Sequence, residues 1–285
     1  MAKGSRQQGV QPGRQTTQLW LRLTDSATAE SMICTSSSSP IWIWPKVVMN
    51  VGTPKGQYTR DSLRYNRAVV SIIAGATGLV GGHLASELVG VVGQQVVALV
   101  RRTAPALPPQ VTQVVCDFAR LDSLTPAPAE AVFCALGTTI AKAGSREAFR
   151  QVDYEAILAL GRYGRRCGAR QFSLVSSVGA SLGSFNFYLR VKAEVERDLA
   201  ALGYQALHIF RPGVLVGNRA ESRPGERLGV AISKALGPLL IGLLVKYRAI
   251  DASWVASAMA RASQEPTTGI SIYHYREIAA MAGRP

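Results

Sequence analysis

From Val69 onward, short apolar runs alternate with longer stretches whose apolar positions recur at helical spacing. The runs predict strands, and the longer stretches predict helices. The helices are predicted at Leu79–Val92, Phe149–Cys167 and Tyr188–Leu202. The strands are predicted at Val69–Ala74, Gln95–Val100, Val111–Cys116, Ala131–Leu136, Gln171–Ser176 and Ala206–Phe210. This alternation is typical of an α/β fold, a Rossmann-like, doubly wound parallel sheet covered by helices on both faces.

A glycine-rich turn joins the first predicted strand to the first predicted helix. Gly75 allows a tight turn, Gly78 lets backbone approach a phosphate, and Gly81 lets the helix pack closely on the strand. Such a turn places a dinucleotide pyrophosphate on a helix N-terminus. The residues of the turn predicted to contact the cofactor are Gly75, Thr77, Gly78, Leu79, Val80 and Gly81.

Three further strand ends carry residues that fit a nucleotide site. Arg101 and Arg102 follow the second strand, where an acidic residue would favour NAD and an arginine accommodates the 2′-phosphate of NADP. The alternative for this position is a solvent-exposed arginine pair that binds no cofactor. Asp117 follows the third strand, where it would lie near adenine or serve as a helix cap. Leu136 ends the fourth and Gly137 follows it, and a glycine there lets backbone run close to a cofactor or forms an ordinary turn.

Tyr188 and Lys192 lie one helical turn apart and therefore project from one helix face. A lysine ammonium beside a phenol favours the phenolate form, which suits a general acid or base. Ser176 and Ser177 end the fifth strand, and one hydroxyl there could hydrogen-bond a substrate carbonyl. The spacing to Tyr188 slightly favours Ser176, although a strand-end hydroxyl can also bind local backbone.

Composition excludes several other classes of protein. The chain has 285 residues, a net charge of +14 and no dense basic block with interleaved aromatics, so nucleic-acid binding is disfavoured. Four cysteines and three scattered histidines do not have the spacing of zinc ligands, so we expect no metal site. We expect reduced cysteines and a cytoplasmic protein without structural disulfides. His208 lies in a predicted strand, so we expect it in the core. The longest apolar stretch, Leu236–Val245, is too short to span a membrane.

The chain resembles the atypical short-chain dehydrogenase/reductase superfamily, and within it the Tat-interacting oxidoreductase family and its bacterial relatives. The resemblance covers about Val69 to Gly229 and implies NADPH at the glycine turn, with Tyr188 as proton donor or acceptor and Lys192 as its partner. It also implies that Leu215 and Arg223 line the cofactor site. It rests on Phe133–Thr139, Lys142–Gly144, Phe149–Asp153, Leu174–Ser177, Tyr188–Glu196, Phe210–Leu215 and Glu221–Glu226.

The leading hypothesis is an NADP(H)-dependent oxidoreductase, NADP(H) being favoured over NAD(H), that acts on a small carbonyl or alcohol substrate. Residues 68–285 would form the NAD(P)-binding domain, with a small substrate lid at about 212–285. Residues 1–67 are predicted to be a disordered extension or a mis-assigned start, with a targeting peptide as the other alternative. The superfamily adds the expectation of a homodimer. Alternative hypotheses are a non-catalytic NADPH sensor, and an epimerase or dehydratase that retains its cofactor.

Overall fold

A computed structural model describes residues 69–217 and 242–284, except for the Leu243 side chain. Its first six strands agree with the sequence prediction to within two residues at each end. Beyond them lie three strands that the sequence did not predict. The strands are β1 Val69–Ala74, β2 Gln94–Val100, β3 Thr112–Val115, β4 Ala131–Cys134, β5 Gln171–Val175, β6 Ala206–Phe210, β7 Leu215–Val216, β8 Ile250–Asp251 and β9 Gly269–Tyr273.

Helices connect the strands, and short 3₁₀ helices occur at Phe118–Ser123 and Gly242–Tyr247. The predicted helix at 149–167 is divided, because a π-helical turn at Gln151–Glu155 interrupts it. The α-helices are α1 Leu79–Val89, α2 Ile140–Ala143, α3 Arg146–Arg150, α4 Ala156–Arg166, α5 Phe187–Ala200, α6 Ala252–Ala262 and α7 Tyr275–Met281.

Seven parallel strands form the central sheet in the order β3-β2-β1-β4-β5-β6-β9. From β1, the strands β2 and β3 are added on one side of the sheet, and β4, β5 and β6 on the other. The crevice for a ligand lies at the carboxyl ends of β1 and β4, where this strand order reverses. The strands are apolar on both faces because helices cover both. Ile73 packs with α1 and α6 on one face, and Ile72 packs with α4 on the other. The predicted doubly wound α/β fold is confirmed.

The C-terminal part of the chain contributes more to the central body than its sequence indicated. β9 pairs with β6 as the seventh strand, and α6 packs against α1, where Ser257 donates a hydrogen bond of 2.7 Å to Glu87. The short β7 pairs with β8 in a separate two-stranded sheet. Residues 1–67 and 218–241 lie outside the described ranges, so the predicted extension and the substrate role of the lid stay predictions.

His208 is a core residue of β6, which confirms the sequence interpretation. The side chain is fully buried, with Nδ1 3.0 Å from the Tyr273 hydroxyl and Nε2 3.2 Å from the Thr267 hydroxyl. Burial lowers the pKa of His208 because the charged imidazolium would lose its hydration. The folded protein therefore holds a neutral imidazole here.

This burial predicts a pH dependence of stability. Below about pH 6.5, the ordinary pKa, an unfolded His208 binds a proton that the folded protein does not, so the free energy of unfolding falls as pH falls. His208→Gln removes this proton linkage, and we expect a shallower loss of stability on acidification. Urea unfolding of both proteins at pH 7 and at several lower pH values measures the two slopes. Equal slopes would contradict the assignment.

Candidate functional site

The glycine turn brings three backbone segments into close contact. Gly75 has a φ of +86°, and it lies so close to the end of β4 that a Cβ would sit 2.5 Å from the Ala135 carbonyl oxygen. A Cβ on Gly81 would sit 2.1 Å from the Gly75 carbonyl oxygen. Both distances are too short for any side chain. The turn, the start of α1 and the end of β4 can therefore meet only because these positions are glycines.

The N-terminus of α1 is suited to an anion. Its first turn contains no acidic residue, and Gly78 precedes the helix without a side-chain cap. The first N–H groups of a helix have no intrahelical acceptor, and the helix dipole adds partial positive charge there. Thr77 and Gly78 are exposed, whereas the Val80 side chain is buried in the core, so Val80 can contribute only through its backbone.

A groove of about 590 Å³ runs beside the glycine turn. One wall is formed by α1, and the other by the loop that follows β2. Arg101 and Arg102 begin that loop, directly after Val100, and both are exposed. The groove is lined by Thr77, Gly78, Leu79, Gly82, His83, Ser86 and Ala106–Pro109.

Asp117 caps the 3₁₀ helix Phe118–Ser123. Its carboxylate accepts a hydrogen bond of 2.9 Å from the Ala119 N–H, and the residue is exposed. The local structure thus accounts for an acidic residue at this strand end without a ligand. A contact of Asp117 with adenine stays a prediction.

Lys192 and Asp153 form a buried ion pair. Lys192 Nζ lies 2.8 Å from Asp153 Oδ1, with side-chain exposures of 4% and 0%. Burial alone would lower the pKa of Lys192, but the charges of Asp153 and Tyr188 and the hydrogen bond to Asp153 outweigh burial and raise it. Lys192 is therefore a cation at neutral pH.

The π-helical turn holds Asp153 in this position. An extra residue in the turn changes the helix phase at Gln151–Glu155, a distortion frequently found at functional sites. Besides the ion pair, Asp153 Oδ2 accepts a hydrogen bond of 2.8 Å from the Thr138 N–H. Asp153 therefore links Lys192 to the loop that follows β4.

That loop contains the predicted cofactor residues Leu136 and Gly137. A Cβ on Gly137 would lie 3.5 Å from Asp153 Oδ1 and 3.9 Å from Lys192 Nζ. Gly137 is exposed, so this backbone covers the ion pair on one side and faces the crevice on the other. Cys134, at the end of β4, lies beneath the pair, and burial raises its pKa to about 12.

Tyr188 lies in the first turn of α5, the helix that carries Lys192. Asn186 caps α5 by accepting a hydrogen bond of 2.9 Å from the Tyr188 N–H. The Tyr188 ring packs on Phe149, with 5.6 Å between ring centroids, and Lys192 Nζ lies 5.9 Å from its centroid. The structure thus brings the predicted tyrosine and lysine together at the carboxyl ends of β4 and β5.

The two serines after β5 have different surroundings. Ser176 is buried, and its hydroxyl donates a short hydrogen bond to Glu196 Oε1. Ser177 is half-buried, and among the described residues its hydroxyl has one partner, the Val178 carbonyl at a long 3.3 Å. Local geometry therefore favours Ser177 as the hydroxyl available to a substrate, whereas spacing alone slightly favoured Ser176.

Asp153, Glu196 and Arg211 belong to this region, although sequence reasoning gave none of them a role. Arg211 donates to both carboxylate oxygens of Glu196, from Nε at 3.1 Å and from Nη2 at 2.5 Å. A signal was present for Glu196, which continues the four-residue spacing of Tyr188 and Lys192 along α5. No comparable local signal marks Asp153.

The last two predicted cofactor residues are Leu215 and Arg223. Leu215 is half-buried in β7 and packs against the core on the α1 side of the sheet. Arg223 lies outside the described residues. The predicted contacts of both with a cofactor stay predictions.

Within the described ranges, no group of three or more histidine, cysteine or carboxylate side chains could hold a metal ion. Cys134 and Cys167 are buried, Cys116 is half-buried, and all three are free thiols. In the same part of the chain, no helix has the length and apolar character needed to cross a membrane.

Comparison with known families bears directly on this crevice. Residues 75–230 match a family model described as NAD(P)H-binding. The chain belongs to this NAD(P)H-binding family. The match begins at Gly75, the glycine of the turn on which a Cβ would lie 2.5 Å from the Ala135 carbonyl oxygen.

Two relatives are similar to this chain over much of its length. Protein HTATIP2 of Rattus norvegicus is 40% identical over 174 residues, which are 59% of this chain and 71% of the relative. The mitochondrial protein fmp52 of Aspergillus clavatus is 36% identical over 207 residues, which are 69% of this chain and 88% of the relative. The predicted resemblance to the Tat-interacting group is thereby confirmed.

Solved structures show the same fold at low sequence identity. A UDP-glucose 4-epimerase from Thermotoga maritima with UDP-glucose superposes with a TM-score of 0.56, at 16% identity over 72% of this chain and 77% of that one. A Thermus thermophilus UDP-glucose 4-epimerase complexed with NAD gives 0.53, at 18% identity over 76% and 84%.

The residues of this NAD(P)H-binding family member fit a dinucleotide. A side-chain-free turn adjoins the uncapped N-terminus of α1, and the carboxyl ends of β1 and β4 flank the crevice. The glycine turn and the N-terminus of α1 are suited to binding an anionic pyrophosphate. The exposed arginines after β2 are suited to binding a further phosphate group.

Proposed function

We propose that this protein is an NADP(H)-dependent oxidoreductase that interconverts a carbonyl and an alcohol. One observation carries the proposal: Tyr188 lies beside a buried Lys192–Asp153 pair at the mouth of the dinucleotide crevice. A buried ion pair is costly to desolvate and is weak support for stability alone. Its position beside a half-buried tyrosine suggests a chemical use.

In this proposal a bound nicotinamide would supply or accept hydride, and the protein residues handle the proton and the substrate oxygen. The Tyr188 hydroxyl donates a proton to the carbonyl oxygen in reduction, and the Tyr188 phenolate accepts the alcohol proton in oxidation. Lys192 stays cationic and stabilises negative charge that develops on Tyr188. The Ser177 hydroxyl donates a hydrogen bond to the same substrate oxygen.

Phe149 and the Gly137 backbone complete the proposed site. Phe149 is fully buried, so its ring fixes the orientation of the Tyr188 ring from one side. Asp153 holds Lys192 and, through the Thr138 N–H, the loop that carries Gly137. Three parts of the fold, namely the β4 loop, the π-helical turn and α5, are thereby fixed relative to one another.

We propose further that Arg101 and Arg102 make NADPH the preferred cofactor. Their exposed guanidinium groups at the end of β2 can bind a 2′-phosphate, which NADH lacks. Arg101→Ala and Arg102→Ala should each weaken NADPH binding by about 10-fold, the effect of losing one charge-assisted hydrogen bond. Intrinsic-fluorescence titrations with NADPH and NADH measure this.

The NADH affinity is the internal control for these arginine variants, because it should stay unchanged. Arg120→Ala is a matched control, since Arg120 is an exposed arginine beyond the next strand, β3. Equal weakening of NADPH and NADH would assign the arginines to the shared part of the nucleotides. Failure of wild-type protein to bind either nucleotide would overturn the oxidoreductase proposal as a whole.

The cellular compartment of the protein can be proposed from its cysteines. Free thiols at Cys116, Cys134 and Cys167 suit the reducing cytoplasm, where we propose that the protein acts. The fungal relative is named as mitochondrial. Fluorescence microscopy of the full chain with a C-terminal tag distinguishes the two compartments.

A further inference from the structure

Glu196 occupies the third position of a row on α5. Tyr188, Lys192 and Glu196 are spaced four residues apart, so they lie on one helix face. Tyr188 and Lys192 have roles in the proposed chemistry, whereas Glu196 has none. It is nevertheless a charged residue with only 6% of its side chain exposed.

Two neighbouring strand ends hold this carboxylate. Ser176 follows β5 and donates its hydroxyl to Glu196 Oε1. Arg211 follows β6 and donates to both Oε1 and Oε2, in a fork that fixes both distance and plane. Glu196 is therefore attached to the sheet by three side-chain hydrogen bonds.

The two donors are themselves fixed by backbone hydrogen bonds between strand ends. The Ser176 N–H donates to the Phe210 carbonyl at 2.7 Å, and the Arg211 N–H donates to the Tyr273 carbonyl at 2.8 Å. The carboxyl ends of β5, β6 and β9 thus form one rigid edge. Glu196 connects the middle of α5 to this edge.

We propose that Glu196, held by Arg211 and Ser176, is a positioning residue that sets where α5 presents Tyr188 and Lys192. The proposal rests on the oxidoreductase function proposed above. Lys192 must reach Asp153 at 2.8 Å, and Glu196 lies one turn beyond it on the same rigid helix. A shift of α5 along or about its axis at Glu196 therefore moves both Lys192 and the Tyr188 hydroxyl.

The same arrangement separates the roles of the two serines. The Ser176 hydroxyl is used in holding Glu196, so it acts on the reaction through α5. The Ser177 hydroxyl, which has only a long backbone contact, acts on the substrate oxygen directly. One serine of the pair is thus a positioning residue, and its neighbour is a catalytic residue.

The test compares Glu196→Gln with Glu194→Gln. Glutamine keeps the shape of each side chain and removes its charge. Glu194 is a matched control because it lies on the same helix and pairs with Arg150 at 2.5 Å, but on the more exposed side, with exposures of 21% and 39%. Arg211→Lys keeps the charge and loses the fork, and Ser176→Ala removes the third hydrogen bond.

With NADPH and 4-nitrobenzaldehyde as substrates, we expect Glu196→Gln to lower kcat by about 10- to 100-fold. This is the effect of misplacing a reacting group by up to about one ångström. The KM and the NADPH dissociation constant should stay within about twofold, since neither substrate nor cofactor contacts Glu196. Ser176→Ala should lower kcat less, and should add nothing in the Glu196→Gln background.

A second measurement does not depend on turnover. In protein labelled with 3-fluorotyrosine, the ¹⁹F resonance of Tyr188 is the one that Tyr188→Phe removes. Glu196→Gln and Arg211→Lys should shift this resonance, and Glu194→Gln should not. If Glu196→Gln does not fold, Arg211→Lys and Ser176→Ala carry the same comparison.

The outcomes separate the two proposals. An unshifted Tyr188 resonance with unchanged kcat overturns the positioning role, as does an equal effect of Glu194→Gln. A loss of NADPH affinity that matches the loss of kcat also overturns it, because it indicates general disruption. A shifted resonance in a protein that binds NADPH but turns over no carbonyl supports the positioning role and overturns the oxidoreductase function.

Discussion

Replacing Tyr188 with phenylalanine is expected to lower turnover by about 10²- to 10⁴-fold, the usual contribution of a positioned general acid. Phenylalanine keeps the ring that packs on Phe149 and removes only the hydroxyl that would transfer the proton. The fold and the glycine turn are untouched, so the NADPH dissociation constant should stay the same. Steady-state kinetics and fluorescence titration of the same protein preparation give both numbers.

Tyr154→Phe is the matched control for this experiment. Tyr154 also lies in a helical segment and also loses only a hydroxyl, which donates a hydrogen bond of 2.6 Å to Asp198, a residue outside the row of Tyr188, Lys192 and Glu196 on α5. Its turnover should stay near that of wild type. If Tyr188→Phe retained full activity, Tyr188 would not be the proton donor. Cofactor binding without any turnover in the wild type would instead favour the sensor hypothesis.

The elements that sequence predicted best are those whose signals are local. The apolar run Val69–Ala74 and the glycines that follow it specify a strand, a turn and a helix start within a few residues. The spacing of Tyr188 and Lys192 is equally local, because both belong to one helix. The parallel sheet followed from the alternation of such elements.

The features that sequence missed depend on residues far apart along the chain. Asp153 and Lys192 are brought together by the packing of the π-helical turn against α5, and nothing near either residue indicates the other. The pairing of β9 is also between distant parts of the chain. Its exposed residues Ile270 and Ile272 pair with β6, and α6 lies between the two strands in the sequence. Sequence patterns describe single elements and do not specify their partners.

The serine pair shows the limit of spacing arguments. Ser176 and Ser177 are adjacent, and successive residues of an extended chain point in opposite directions. Sequence therefore indicates that only one of them can face the substrate, but not which one. The position of Glu196 decides this, because it accepts the hydrogen bond of Ser176.

Replacing Lys192 with methionine is expected to destabilise the protein by about 3–5 kcal/mol, the cost of leaving a buried charge without its partner. Methionine fills a similar volume, but the fully buried Asp153 carboxylate loses its cation. The pKa of Lys192 is raised above its ordinary value of 10.5, so the pair contributes at neutral pH and is lost only as pH rises beyond the ordinary lysine range. Urea unfolding at pH 7 measures the loss.

Changing both partners should restore much of this stability. In Lys192→Met with Asp153→Asn, the buried charge is gone and the amide oxygen can still accept the Thr138 N–H, so we expect less than half of the single-variant loss. Arg170→Met is the control, because its partner Glu130 is partly exposed and such surface pairs contribute about 0–1 kcal/mol. A double variant as unstable as Lys192→Met would show that Lys192 stabilises the fold by packing rather than by charge. A stable double variant without turnover would show that an uncharged pair suffices for folding. The charges of Lys192 and Asp153 would then be needed for the proposed chemistry.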